Sequence, residues 1–306
     1  MNTETIVAIG EAMVEFSRGD EGHWHQGFAG DTLNVAWAAR ALLHNGQAVG
    51  YVTRVGEDAL STRFLGMLDS VSIGTGWIGR DSERTMGLYT IETDAEGERS
   101  FSYWRGQSAA RRMLAEPDRI SEALARAGLV YFSGITLAIL SPEDRTRLLD
   151  LLTRDGRGFR VAFDPNIRPR LWEKDDILRE TIEAAARASD IVLPTFDDEA
   201  AAFGDGSPEE TLDRYRGLGV GEVIVKDGVN PTRFCADATG EVPVRDPIRA
   251  IDTTGAGDSF NGAYLAGRLL GRSVQDAIGM GQAASRAVVA TRGALLDMAA
   301  LRRACA

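Results

Sequence analysis

The heptapeptide Asp252-Thr253-Thr254-Gly255-Ala256-Gly257-Asp258 runs straight into Ser259-Phe260-Asn261-Gly262-Ala263-Tyr264-Leu265, an apolar stretch of helical period. Two glycines ahead of a helix leave its first amides unobstructed, and the helix dipole adds partial positive charge, so the junction is a site for an anion. Asp258 falls in the first turn, beside whatever phosphate the glycines hold. With a hydroxyl docked next to it, Asp258 can take the proton while the amides of Gly255, Ala256 and Gly257 stabilise charge on a transferring phosphoryl group. Gly-x-Gly alone is an ordinary turn; it is the whole string that favours the anion site. No GxxxxGK[ST] string occurs, which excludes a P-loop. Ile9-Gly10-Glu11-Ala12-Met13 offers one glycine rather than GxGxxG, which argues against a dinucleotide-dependent dehydrogenase.

Upstream of this junction, short β-branched apolar runs recur at 5–10, 48–53, 128–132, 159–163, 190–193 and 222–225. Amphipathic stretches of helical period lie between them at 31–43, 141–153, 177–188 and 208–216, and Ser141-Pro142-Glu143 is a capped helix start. Alternation of this kind predicts an α/β fold, three layers with a mostly parallel central sheet. Thr85 to Tyr103 breaks the pattern: Met86 to Glu92 and Glu98 to Tyr103 read as a hairpin around the polar turn Thr93 to Gly97. With the segment from Ala12 to Phe28, the hairpin predicts a small separate sheet, a lid drawn from about 12–28 and 84–105. Without repeats or linkers, residues 1–306 are expected to form one domain. The stretch from Gly255 to Thr291 reads as mostly helical.

The chain has 306 residues, 44% hydrophobic and 26% charged, a globular composition that excludes disorder. Its 34 basic and 45 acidic side chains give a net charge of −11, unfavourable for nucleic acid. No window approaches the roughly 18 apolar residues of a membrane span, and Met1-Asn2-Thr3-Glu4-Thr5 lacks a signal-like pattern, so no membrane partner and a cytoplasmic location are expected. Cys235 and Cys305 make no disulfide framework.

Asp252 to Asp258 resembles the DTxGAGD signature of the ribokinase-like (PfkB) carbohydrate kinases. Ala29-Gly30-Asp31-Thr32-Leu33-Asn34-Val35-Ala36 is similar to their GGxxxNxA element, with alanine for the first glycine. Gly56-Glu57-Asp58 resembles VGxDxxG, with Ser61 at its last glycine. Three further strings resemble the members acting on 2-keto-3-deoxy sugar acids: Ala29 to Asn34, Tyr103-Trp104-Arg105 with Ser108-Ala109-Ala110, and Asp164-Pro165-Asn166-Ile167-Arg168-Pro169-Arg170-Leu171-Trp172.

The resemblance implies ATP-dependent phosphorylation of the C6 hydroxyl of 2-keto-3-deoxygluconate, with Asp258 as base and Gly30, Asn34, Tyr89, Tyr103, Arg105 and Arg168 as substrate contacts. Arginine's planar fork suits a carboxylate held by an acidic protein. Tyr89 and Tyr103 are equally readable as cross-strand partners, Arg168 as a surface arginine, and Asp31 as a helix cap or a ligand. For the nucleotide, the resemblance carries over Asn166, Thr195, Lys226, Gly228, Gly255 and Gly257. The family's NxxE element, which organises Mg²⁺ through water, falls on Thr195-Phe196-Asp197-Asp198-Glu199; either Asp198 or Glu199 matches its acid, with Glu199 preferred. Asp252 is a candidate for a monovalent cation. The alternatives are a neutral-sugar kinase and a sugar or nucleotide sensor without turnover. A lid with an uncovered apolar face implies a homodimer or larger homo-oligomer.

Overall fold

A computed structural model describes residues 6–18, 22–93, 99–153 and 156–306. The expected hairpin residues Asp94 to Glu98, and Thr5 of the first run, lie outside them. The strands are β1 (Ile6–Ile9), β2 (Met13–Arg18), β3 (Trp24–Ala29), β4 (Val49–Gly56), β5 (Ile73–Gly74), β6 (Ile78–Asp81), β7 (Gly87–Thr93), β8 (Arg99–Trp104), β9 (Leu129–Ser133), β10 (Arg160–Asp164), β11 (Ile191–Val192), β12 (Glu222–Val225), β13 (Thr232–Cys235) and β14 (Thr239–Val242).

The large sheet has the order β14-β13-β12-β11-β10-β9-β1-β4-β5, with β6 also paired to β4. It is parallel from β12 to β5 and antiparallel only at the β12-β13-β14 edge. β1 lies in the middle, with Ile6 opposite both Val49 and Leu129. Both its faces are covered, which is why the run is apolar throughout rather than alternating. Val7, Ile9, Val130, Phe132, Val161 and Phe163 pack into one core layer, and Ile6, Ala8, Tyr51, Leu129, Tyr131 and Ala162 into the other.

Most expected helices appear within two residues of their predicted ends: Asp31–Leu42, Pro142–Thr153, Asp175–Arg187 and Pro208–Gly217. Ser141 and Ser207 cap the second and fourth, accepting from the amides of Asp144 and Glu210. The C-terminal third supplies Ala256–Leu269 and Val274–Val289. The β13-β14 hairpin and the helix Ala59–Ser70 were not anticipated. Asp58 starts that helix, accepting from the amides of Leu60 and Ser61, while the Ser61 hydroxyl donates to its other oxygen at 2.7 Å.

The second sheet has the order β3-β2-β7-β8 and draws together the two segments expected to pair. β2 runs antiparallel to β3 and parallel to β7, and β7 runs antiparallel to β8. One face, carrying Met13, Ala29, Tyr89 and Ile91, packs with Ala294 from the C-terminal loop. Trp24, Phe101, Tyr103 and Trp104 stay exposed on this sheet. Among the described residues, no helix is long and apolar enough to cross a membrane.

Candidate active site

The helix Ala256–Leu269 begins at Gly255, whose φ of +75° is a left-handed conformation that suits glycine. A β-carbon there would also meet the Ala294 carbonyl oxygen at 2.9 Å. The first helical bond is Ser259 N–H to Gly255 O at 2.8 Å. Ala256 departs from expectation: its amide donates back to Thr253 O at 3.2 Å, so it closes the turn instead of facing a ligand. The open end of the helix belongs to the amides of Gly257 and Asp258, which have no carbonyl one turn earlier in the helix.

Asp258 meets Asn34, whose Nδ2 donates to its Oδ2 at 2.8 Å. The reason lies in the neighbouring turn of each helix. A β-carbon on Gly262 would stand 2.5 Å from Val35 O and 2.7 Å from Ala38 Cβ, so only glycine lets the helices Asp31–Leu42 and Ala256–Leu269 approach this closely. Burial, the nearby Asp31 charge and Asp164 push the Asp258 carboxyl up to about 7, against the opposing effects of Asn34 and Lys226. It is poised as a base near neutrality.

Lys226, at the end of β12, turns inward. Its Nζ donates to Asp164 Oδ2 and Asn261 Oδ1, both at 3.0 Å, and a β-carbon on Gly257 would lie 3.8 Å from it. The ammonium therefore adds full positive charge behind the helix terminus. Asn261 completes the arrangement, its Nδ2 donating to Asp164 Oδ2 at 2.6 Å and Tyr131 Oη at 3.3 Å. Asp164 and Asn261 were not singled out from the sequence. The signals were there: Asp164 ends a strand at the carboxyl edge of the sheet, and Asn261 follows Asp258 by three positions on one helical face.

Asn166, expected on the nucleotide side, donates from Nδ2 to Asp31 Oδ2 at 2.9 Å, and its amide donates to Asp164 Oδ1. Asp31 is not the cap of its helix, a position that Gly30 holds. Gly30 has no room for a side chain, since a β-carbon would stand 2.3 Å from Glu11 O.

On the small sheet, Tyr89 and Tyr103 are opposite each other in register and stacked at 5.6 Å. Tyr89 is buried and its hydroxyl donates to Glu15, whereas Tyr103 is 53% exposed. Arg105 is ion-paired through Nη2 with the buried carboxylate of Glu11, and its Nε is buried without a partner. That leaves a donor available to an entering anion, beside a carboxylate that competes for the same guanidinium. Arg168 donates to Asp198 Oδ2 at 3.1 Å.

The structure does not bring Glu199 to the site. It is fully buried, with Oε2 accepting from Arg214 at 2.7 Å and from Tyr215 at 3.0 Å, behind the helix Phe196–Phe203. Asp198 is the acid that faces the cleft, feeling the charges of Arg168, Asp164 and Lys226, with burial pushing its carboxyl up. No cluster of three or more metal-ligating side chains occurs among the described residues. One half-exposed acid fits a magnesium ion that keeps its waters and is held mainly by nucleotide phosphates. Asp252 has both oxygens engaged, accepting from Thr254 N at 2.9 Å and Gly293 N at 2.8 Å. Thr195 precedes the helix of Asp198 and bridges to Lys226, while Gly228 (φ +55°) opens an exposed turn before Val229.

The PfkB protein from Polaromonas sp. JS666 superposes with a TM-score of 0.82 over 97% of this chain and 98% of that one, at 27% identity. The fold is that of the ribokinase-like sugar kinases. Residues 3–300 match the pfkB family of carbohydrate kinases, and the chain belongs to that family. Among its relatives, the 2-dehydro-3-deoxygluconokinase of Dickeya dadantii (strain 3937) is 40% identical, covering 98% of this chain and 99% of its own. The 2-dehydro-3-deoxygluconokinase of Escherichia coli (strain K12) is 39% identical with the same coverage.

Proposed function

We propose that this kinase transfers the γ-phosphoryl group of ATP to the C6 hydroxyl of 2-keto-3-deoxygluconate (2-dehydro-3-deoxygluconate), with Asp258 as general base. The observation that carries the reading is the Asp258 carboxylate, oriented by Asn34 at the open end of a helix and raised to about 7. The two full-length relatives described above, named for that acid, support the substrate.

Asp258 takes the proton of the C6 hydroxyl as the oxygen attacks in line. The amides of Gly257 and Asp258, with the Lys226 ammonium behind them, stabilise charge on the phosphoryl group. Gly255 shapes the turn that exposes those amides. Arg105 offers its unpartnered Nε to the acid's carboxylate, and Tyr103 a hydroxyl, while Glu11 and Glu15 hold Arg105 and Tyr89 in place. Thr195 and Gly228 line the nucleotide side. Asp198 would hold a magnesium ion through water, and such an ion would supply charge neutralisation to the nucleotide phosphates. The four-stranded sheet acts as a lid that excludes water, itself a competing acceptor.

The 306 residues act as one domain with a discontinuous lid, in the cytoplasm and as a homodimer whose second copy covers the exposed lid aromatics. A coupled assay with ATP and Mg²⁺ against 2-keto-3-deoxygluconate, fructose and ribose tests the reading. Turnover of the sugar acid in preference to both neutral sugars is expected; turnover of fructose alone means a fructokinase. Arg105→Ala should raise KM for the acid by about 10- to 100-fold, the loss expected for a hydrogen bond to a charged group, and leave KM for ATP unchanged.

A further inference from the structure

Asp31 has no part in the chemistry just described, yet it is built into the cleft. Thr32 N–H donates to its Oδ1 at 2.8 Å and Asn166 Nδ2 to its Oδ2 at 2.9 Å. A carboxylate offers about four lone-pair positions, so two protein donors, one on each oxygen, leave acceptor capacity unfilled. The residue is only partly buried, which opens that position to a ligand. Its main partner is held with care: Asn166 sits at φ +35°, uncommon for a residue other than glycine, with its amide bonded to Asp164.

Asp31 also lies between the two ends of the acceptor site. It feels the charge of Arg105, and Asp258 in turn feels the charge of Asp31. Along the helix Asp31–Leu42, Asp31 and Asn34 share a face about 4.5 Å apart, and Asn34 is the residue that touches Asp258. A chain stretched from Arg105 to Asp258 therefore passes Asp31 on its way.

We propose that Asp31 accepts a hydrogen bond from the C4 hydroxyl of the acceptor and so selects the configuration at that carbon. The inference rests on the sugar-acid reading above. The open-chain acid carries hydroxyls at C4, C5 and C6 and none at C3. With the C6 hydroxyl on Asp258, the C4 hydroxyl is the one farthest back toward Arg105, on the side where Asp31 stands one helical turn before Asn34. Inverting C4 turns that hydroxyl away and leaves the open acceptor position of Asp31 unfilled.

The test compares kcat/KM for 2-keto-3-deoxygluconate, its C4 epimer and its 4-deoxy analogue in the natural protein, Asp31→Asn and Asp31→Ala. The natural protein should favour one epimer over the other, and over the 4-deoxy acid, by about 10- to 100-fold. Both variants should lose that preference through KM for the acceptor, with KM for ATP unchanged. A natural protein that handles the 4-deoxy acid as well as the parent, or variants that keep the epimer preference, would overturn the Asp31 assignment. Because the 4-deoxy comparison is made on the unaltered chain, it holds even if a variant fails to fold. Failure to phosphorylate any of the three acids is a different result, one that removes the substrate reading itself.

Discussion

The helix Ala256–Leu269 serves two carboxylates at opposite edges of the sheet, Asp258 partly buried and Glu222 buried, and they are treated in opposite ways. At its start, Asp258 receives one hydrogen bond from a neutral amide and lies near two further acids; its carboxyl rises to about 7. Near its end, Tyr264 and Arg268 reach Glu222 at the foot of β12, the hydroxyl at 2.6 Å and the guanidinium at 3.2 and 3.1 Å, with Arg160 adding a third donor. Despite burial, those donors hold the Glu222 carboxyl below its usual range. Both acids are largely desolvated; what separates them is whether donors were supplied. An acid left short of partners is costly to keep ionised and ready to take a proton, while one fully surrounded is stable and inert.

The largest effect should come from breaking the poised side. Asp258→Asn should lower kcat by about 10²–10⁴-fold, the usual worth of a positioned base, with ATP affinity nearly intact in a binding titration. A variant with natural kcat would reduce Asp258 to a bystander.

Breaking the satisfied side should leave chemistry alone. Glu222→Ala strands Arg268 and Arg160 and should cost about 2–4 kcal/mol in denaturant unfolding, less than a fully dry pair because both arginines reach solvent. Per folded molecule, its kcat should match that of the natural protein. The signs of the two acid contributions also oppose. A depressed carboxyl stabilises the fold above its unfolded pKa of roughly 4.3 and loses that contribution as pH falls, whereas the raised Asp258 carboxyl costs stability as pH climbs from roughly 4 toward 7.

The smallest and sharpest effect is a shift in a pH profile. Asp258 accepts a proton only when ionised, so kcat/KM for the acceptor should rise with pH through a midpoint near 7. The charged groups facing it are Asp31, Asp164 and Lys226, and Asp31 is the leading charge that raises it. Asp31→Asn should therefore move the midpoint to lower pH. An unmoved midpoint would mean that burial alone sets the basicity of Asp258.

Local signals in the chain reached the poised side well. The glycine-acid string placed Asp258 at a helix start, and the apolar runs placed the sheet. What they could not reach was partnership across distance. Nothing in the spacing of Lys226 says that it will fold onto Asp164, 62 positions earlier, or that Glu199 will turn to Arg214 while its neighbour Asp198 takes the cleft. On a helix, adjacent residues point about 100° apart, so one faces the site and the other the core; which one depends on packing beyond the segment. The withdrawal of the Ala256 amide is equally invisible in sequence, because it follows from the tightness of the turn at Gly255.

Gly262 carries a consequence out of proportion to its chemistry. It bears no functional group and touches only the backbone and Cβ atoms of a neighbouring helix, yet one added methyl there would act as a wedge and prise the scissor of two helices open at the blade that grips the proton acceptor. Random mutagenesis of this enzyme would thus report a dead catalyst from a position deep in the interior, and the damage would be read in ångströms of lost alignment rather than in any missing reactive atom.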